Sequence, residues 1–536
     1  RIHSQRAVVA EWRDGTLLYF APDFADEWWQ RVKAAQPGIE MDEEKRQIIN
    51  PGLDYSVLSD EQLIRLCRRY NVDFLLLTKY YLGNLQIVYS NRTWRIAKPE
   101  FPPPKPVPAG VKDEAIWHAQ ETFMRDVVEP NIEKYRKGDL TIELRDADGK
   151  ALYDLEYQLE LTRHAFHFGS GLGFFVEPPE KPDYDFIPSV VTEVDKKYFL
   201  ELFNFSIIPY SGKWFYIEPE EGKTFYDDLD AYVNWCFENK IDMEYHFVTG
   251  YPPKWLEAKT PEEKQQLLLK HSNELIDRYG DKIQYWQVVN EKHLLTESVA
   301  AFKLFRQRLP GAKLGISDCA RFYSPQPADS QARFDDLTRG LKEIRWLKEQ
   351  GVKLDFFGFH AHRPFGLWAD FRVLYEALDA FEKEGIRVHI SEFGIHEVYN
   401  IEGDVREGQW NADLQARYYE MIYSAMFSHP VVDAINMWGM SANTWMTGSG
   451  LLDKDGQPKP SFYALRNLIH KKWHTNKKGV LPLNGKINCR AFYGDYLLRV
   501  ELEDGKKIDI SFQHRRGETK PLIFSIIDNT RVLRVE

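Results

Sequence analysis

Eight short apolar runs, separated mostly by amphipathic helix-length segments, constrain this chain more than any other feature. They are 166–171, 203–209, 242–248, 285–291, 313–318, 354–362, 387–393 and 433–439. Each is strand-sized and flanked by turn residues, and segments such as DDLDAYVNWCFENK and QLLLKHSNELIDRYG lie between them. Strands alternating with helices build a parallel sheet with helices outside it. Eight such units over roughly 300 residues fit a closed (β/α)8 TIM barrel. The alternative is an open doubly wound sheet. No G-x-G-x-x-G or phosphate-binding loop follows any run, which removes the commonest uses of that fold.

The barrel, 165–474, leaves the ends of a 536-residue chain to be explained. Residues 1–98 read as a small α+β module of unknown role. Within it, 58–70 is a helix capped by Ser59 with Gln62 three residues on, presenting Leu63, Leu66 and Cys67 on one face. VDFLLLTKYY and LQIVYS read as buried strands, with TWRIAK as a third. The stretch 98–110 holds six prolines in thirteen residues, so 99–110 is a stiff linker. In 111–164 a helix precedes alternating residues around Asp148-Gly149, a hairpin signal. A matching pattern fills 475–536. The flanking pieces are expected to form β-sandwich-like segments beside the barrel.

Composition narrows the function. There are 70 Lys and Arg against 81 Asp and Glu, a net charge of −11, which argues against nucleic acid or an anionic membrane as partner. Aromatic residues make up 14%, which suits stacking on sugars. No run reaches the ~18 apolar residues of a membrane span. The chain opens at Arg1 with no signal-peptide pattern and reads as a trimmed segment, so an upstream anchor stays open. Cys67, Cys236, Cys319 and Cys489 are scattered, without the spacing of a disulfide framework or zinc site. Asn91 and Asn204 head formal glycosylation sequons.

In a (β/α)8 barrel the chemistry sits at the carboxyl ends of the strands. Glu291 closes the fourth run and Glu392 the seventh. By period two, Val388, Ile390 and Glu392 share the barrel-lining face, which turns His389 toward the helices. One strand-end glutamate alone reads as a salt bridge; two, one of them preceded by Asn290, suit sugar hydrolysis. There one carboxylic acid protonates the leaving oxygen while a second, ionised, attacks the anomeric carbon.

These residues carry a resemblance to glycoside hydrolase family 10, the xylanase family of retaining (β/α)8 enzymes. WQVVNE (286–291) is similar to the family's acid/base motif, and ISEFGI (390–395) stands where its nucleophile motif lies. DFFGFHAH (355–362) resembles the Gly-x-Gln-x-His strand, with His360 where Gln is usual and His362 on the His. KWFYIEPEEGKTFY (213–226) and the segment 437–465 match two further motifs, so the resemblance spans about 165–470. It implies a double-displacement endo-1,4-β-xylanase-like hydrolase, with Glu291 as acid/base, Glu392 as nucleophile, and no cofactor or metal. It also implies an extracellular or periplasmic setting and a β-linked oligo- or polysaccharide as partner. The family's Glu-Asn pair before Lys-Trp is missing, with Tyr210 and Ser211 in its place. Gly250-Tyr251 replaces Trp-His, and Phe393-Gly394 stands for Leu-Asp.

By the same resemblance Asn290 bonds the sugar 2-hydroxyl, and His360 and His362 orient the nucleophile. Lys213 and His246 meet the sugar or the site, and Trp438, Trp445 and Tyr251 supply stacking faces. Structural alternatives accompany several of them: a core role for His360 or His246, a salt bridge for Lys213, barrel packing for Trp438. Three rivals remain for the whole chain. A metal-dependent hydrolase would use His360-x-His362 as ligands. A β-glycosidase of the same clan would act on another β-glycan, and a carbohydrate-binding protein would not turn it over. Residues 1–98 could be an assembly module in any of these cases.

Overall fold

The computed structural model describes residues 39–42, 47–51, 59–69, 74–78, 84–91 and 94–98, and 107–534 apart from 178–187, 251, 292–294, 319–330, 362–366, 369, 404, 445, 447 and 529–530. It divides into two compact units, 1–108 and 109–536.

In the first unit the helix Asp60–Arg69 is capped as its sequence dictates. Gln62 N–H donates to Ser59 Oγ, and Ser59 N–H donates back to Gln62 Oε1. Its Leu63 and Cys67 pack on Leu75, Leu77 and Ala97 of a three-stranded antiparallel sheet. The strand Gln86–Ser90 differs from its expected burial, being exposed at every position. The strand lies at the edge of its sheet, and among the described residues the buried cluster takes Leu75, Leu77 and Ala97 from the other two strands.

In the second unit all eight runs form strands: β1 (His167–Ser170), β2 (Phe205–Ile208), β3 (Asp242–Thr249), β4 (Tyr285–Asn290), β5 (Lys313–Asp318), β6 (Phe356–Ala361), β7 (Arg387–Phe393) and β8 (Val432–Met437). They close into a parallel barrel, β8 pairing with β1. Gly169 is required there, because a Cβ would lie 2.1 Å from Asn436 Oδ1 across the β1–β8 seam. The barrel floor is aromatic and polar. His389 of β7 stacks on Phe356 of β6 and packs against Tyr285 of β4 and Phe205 of β2. Its Nδ1 lies 2.6 Å from Glu244 Oε2 of β3, and both side chains are buried.

This placement corrects the expected phase of β7. His389 points into the barrel rather than toward the helices, while Phe393 faces the surrounding helix Ala412–Ser428 through Tyr419 and Tyr423. A bulge between Ile390 and Phe393 breaks the period of two.

The hairpin expected around Asp148-Gly149 is present but short, with Arg145 bridging Ala151 antiparallel and Leu152 N–H donating to Leu144 O. The turn exists, with Asp146 N–H donating to Lys150 O and Asp146 Oδ1 accepting from two backbone N–H groups. The strands on either side, Lys137–Arg145 and Glu156–His164, nevertheless join different sheets. The first pairs with Lys486–Phe492 and Leu522–Asp528, the second with Asn476–Val480 and Gly494–Glu501. The two flanking segments therefore interleave in one sandwich-like pair of sheets, which meet where Phe512 packs on Phe524. Sequence cannot separate a hairpin whose strands stay paired from one whose strands part into two sheets, because both show the same alternation and the same Asp-Gly.

Candidate active site

The two glutamates stand at the carboxyl ends of β4 and β7. Glu291 is the residue after β4, in the left-handed region at φ 49°. That conformation costs a non-glycine residue about 1–3 kcal/mol. Its N–H donates to Ser317 O at the end of β5. A bulge in β4 between Gln287 and Val289 lets Gln287 and Asn290 both face inward, whereas Trp286 packs outward on Phe305. In β7 the bulge likewise sends Glu392 to the mouth directly after Ser391.

One imidazole touches both carboxylates. His360, nearly fully buried, has Nδ1 at 3.4 Å from Glu291 Oε1 and Nε2 at 3.1 Å from Glu392 Oε1. Nε2 also lies 3.0 Å from Ser317 Oγ. His246 Nε2 lies 3.1 Å from the same Glu392 oxygen, and its Nδ1 contacts Gln287 Oε1 at 2.9 Å. The side chain of Glu392 is 7% exposed and that of Glu291 30%, so the two sit in different surroundings.

The hydrogen bonds between these groups fix their protons. Ser317 Oγ donates to Asn290 Oδ1 at 2.6 Å and accepts from Gln287 Nε2, which also donates to Asn290 Oδ1. With its single proton spent on Asn290, Ser317 faces His360 as an acceptor. His360 in its neutral form therefore carries its proton on Nε2, leaving a lone pair on Nδ1 facing Glu291. The amide of Asn290 is oriented too: its oxygen is taken by Ser317 and Gln287, which leaves its Nδ2 for other partners.

Lys213 is buried beside the site, its ammonium 5.1 Å from the Tyr210 ring centre and 6.0 Å from that of Phe247. Burial pushes its pKa down to about 8, against the pull of Glu392 and Glu291, which favour the charged form. It begins the short helix Trp214–Ile217, and Trp214 stacks on buried His271 at 4.4 Å. Trp438, half-buried, meets His246 edge-on at 4.9 Å and Tyr210 at 6.0 Å. Tyr210 and Trp438 border a cavity of about 20 Å³, with Gly171, Asp195 and Thr444 also in its wall, enough for a single water.

The structure thus brings together Glu291, Glu392, Asn290, His246, Lys213, His360 and Trp438. His362, Trp445 and Tyr251 lie outside the described residues. Gln287 and Ser317 were not singled out from sequence. Their signal was there, since each is a polar residue within an otherwise apolar strand whose inner face continues to the mouth. Asn204, one of the two sequon asparagines, is committed internally, its Nδ2 donating to His164 O and Phe166 O.

Among the described residues, Asp379, Glu382 and His429 are the group whose possible ligand atoms lie within 4.8 Å of one another. His429 Nδ1 accepts the Val431 N–H, so a neutral His429 carries its proton on Nε2, facing Asp379. That is a structural hydrogen bond, on residues that take no part in the constellation around Glu291. No helix among the described residues is long and apolar enough to cross a membrane.

A closed parallel barrel with glutamates at the carboxyl ends of strands four and seven has the architecture of the (β/α)8 class. The family model "Glycosyl hydrolase family 10" matches residues 189–468, more than half of the chain, and the chain belongs to that family. Among its relatives, the anti-sigma-I factor RsgI6 of Acetivibrio thermocellus is 24% identical over 405 residues, covering 73% of this chain and 48% of that protein. Endo-1,4-beta-xylanase 1 of Arabidopsis thaliana is 22% identical over 414 residues, covering 73% and 39%. Endo-1,4-beta-xylanase A of Caldicellulosiruptor saccharolyticus is 26% identical over 332 residues, covering 53% and 93%. The chain spans half or less of the length of the first two.

Proposed function

We propose that this chain is a retaining β-glycosidase of endo-1,4-β-xylanase type, acting by double displacement on a β-linked oligo- or polysaccharide outside the cytoplasm. The carrying observation is the imidazole of His360 between Glu291 and Glu392, which puts the two carboxylates on either side of one small group.

In the first step a Glu392 oxygen bonds to the anomeric carbon, the glycosidic bond breaks, and Glu291 gives its proton to the leaving oxygen. In the second step Glu291 takes a proton from water, whose oxygen displaces Glu392 from the sugar. The Nδ1 lone pair of His360 accepts a hydrogen bond from protonated Glu291, which supports Glu291 as the acid. Glu392, which accepts from the Nε2–H of His360 and feels the Lys213 ammonium, is supported as the ionised nucleophile. Asn290 Nδ2 would donate to the 2-hydroxyl of the sugar bound to Glu392, and Trp438 would form a stacking wall.

The test is hydrolysis of β-1,4-xylan and a panel of other β-glycans by wild type, Glu291→Ala and Glu392→Ala. Loss of at least ~10³-fold in each variant is expected. Either variant retaining near-wild-type rates would remove its residue from the mechanism, and products of inverted configuration would rule out the covalent intermediate. A second reading is a protein that binds the glycan without turning it over. It is favoured by a relative that matches 73% of this chain and is named as an anti-sigma-I factor rather than an enzyme. Wild type that binds xylo-oligosaccharides without cleaving them would establish it.

A further inference from the structure

We infer that the amino end of the barrel carries a second ligand site, which takes a small sugar acid, a monosaccharide bearing a carboxylate. Its place is a cavity of about 290 Å³ walled by the barrel floor and the flanking sandwich. That volume is close to the lower bound of ligand pockets, roughly 300 Å³. Tyr285 opens β4 and Asp433 is the second residue of β8, so these strands meet the cavity at the ends away from the mouth. Six residues of extended chain, about 20 Å, lie between Tyr285 and Glu291.

The wall of this cavity is positively charged. Arg136 is buried there, directly after the helix Glu129–Tyr135. Its Nε donates to Phe427 O, and its Nη2 donates to His429 O and Val432 O. Among the described residues Nη1 has no hydrogen bond, and no carboxylate lies within ion-pair distance of the guanidinium. The three carbonyls satisfy N–H groups and leave the charge without a counter-ion. Burial pushes the pKa of Arg136 down to about 9, opposed by Asp433 and reinforced by Arg387 and Arg516. Arg516, exposed at the rim, is also without a carboxylate partner among the described residues. Asp433, the acid in the wall, is already held through both oxygens by Arg387. His164 is kept neutral, burial pushing its pKa down to about 3, and His167 has Nε2 3.4 Å from Asp242.

The rest of the wall suits a ring rich in hydroxyls. Tyr135, Tyr285 and Tyr493 are half-buried, and none of their phenol hydroxyls has a hydrogen bond among the described residues. Their rings offer flat apolar faces to the C–H face of a pyranose, and their hydroxyls can donate to it or accept from it. Phe166 and Phe427 are spent otherwise, covering the Arg136 guanidinium at 4.7 and 5.1 Å from their ring centres. A carboxylate taken by Arg136 and Arg516 supplies the missing counter-charge through charge-assisted hydrogen bonds. An inorganic anion would meet the two cations and leave the phenols unused. A neutral sugar would use the phenols and leave Arg136 uncompensated. A sugar acid engages both sets of groups.

The test is a binding measurement and does not depend on the catalytic reading. Calorimetric titration of the full chain with methyl β-D-glucuronide should give one site with a Kd of about 1 mM or tighter. Methyl β-D-glucoside, which lacks only the carboxylate, and inorganic phosphate should each bind about 10-fold more weakly or worse. Two variants locate the site. Arg516→Glu changes an exposed side chain and should weaken the glucuronide about 10-fold or more, and Tyr493→Phe, which loses a single hydroxyl, about 3-fold. Both should keep the wild-type circular dichroism and melting temperature. Absence of binding to wild type at about 20 mM overturns the inference, as does glucuronide binding that Arg516→Glu leaves unchanged, since the ligand then sits elsewhere. Phosphate binding as tightly as the glucuronide, or full affinity in Tyr493→Phe, overturns the assignment to a sugar acid.

Discussion

The hydroxyl of Ser317 donates to Asn290 Oδ1 at 2.6 Å, tying β5 to β4 one residue before Glu291. The bond sets which way the asparagine amide faces and which nitrogen of His360 carries a proton. Ser317→Ala should therefore lower kcat/KM about 10-fold, the cost of ~1–2 kcal/mol for a misdirected buried hydrogen bond. Its melting temperature should change little. Steady-state kinetics on a substrate lacking the 2-hydroxyl provides the control, since that substrate should lose most of the sensitivity. An equal penalty on both substrates would show that Asn290 does not read the 2-hydroxyl.

Gly358 stands on β6 where a Cβ would lie 2.7 Å from Ser317 Cβ and 2.9 Å from Ser391 Oγ. The gap is filled by these two neighbours from adjacent strands. Gly358→Ala should displace Ser317 and reproduce the kinetic loss of Ser317→Ala, with an added stability cost of about 1–3 kcal/mol from overpacking. Thermal unfolding alongside kinetics checks both halves. Wild-type kinetics in this variant would mean the strands can part without disturbing the site.

Lys213 has its pKa pushed down to about 8 by burial. Above that pH it loses the charge that faces the two glutamates. Wild-type kcat/KM should fall as pH rises through about 8, and the limb should vanish in Lys213→Met, which is less active throughout. The linkage to stability has the opposite sign. Between about 8 and the unfolded value of 10.5 the unfolded chain binds more protons, so stability should rise with pH over that window.

His271 is held neutral, its pKa pushed from 6.5 down to about 3 by burial against Trp214. Above 6.5 neither state is charged, and the group has no effect. As pH falls from 6.5 to about 3 the unfolded chain alone takes up the proton, so stability declines. His271→Gln should flatten that part of the denaturation profile measured in urea between pH 4 and 7. A profile as steep as wild type would place the acid sensitivity in other residues.

Phe512 and Phe524 join the two sheets of the flanking sandwich at a ring separation of 5.8 Å. Phe512→Ala should cost about 3–5 kcal/mol if the sandwich unfolds as one unit with its interleaved strands. Limited proteolysis of the variant should then cut both 137–164 and 476–534 together. Cleavage of the later segment alone would show that the two flanks fold independently.

Much of this was legible in the chain. The eight runs became the eight barrel strands because a parallel strand covered on both faces must be apolar along its length, and no other element shows that pattern so briefly. Glu291 and Glu392 were legible as strand-end acids, although a strand end alone does not decide it, since Asp318 ends β5 and pairs with Arg339 of a surrounding helix. The phase of β7 was not. Period two assigned Glu392 to the row of Val388 and Ile390, and the bulge moved it to the row of His389 and Ser391. The strand Gln86–Ser90 reads as buried by composition, although it is exposed at the edge of its sheet.

The sequence by itself determined the barrel, the strand ends and the two acids, since each depends on local periodicity and on which residues tolerate burial. Only the tertiary structure decided which carboxylate meets which imidazole nitrogen, and on which nitrogen the proton sits. Those relations join Asn290, Ser317, His360 and Glu392 from four different strands, where angles and distances of a few ångströms choose donor from acceptor. No pattern along one strand carries that information. It arises when the barrel closes and each buried polar group has to be satisfied by a neighbour distant in the chain.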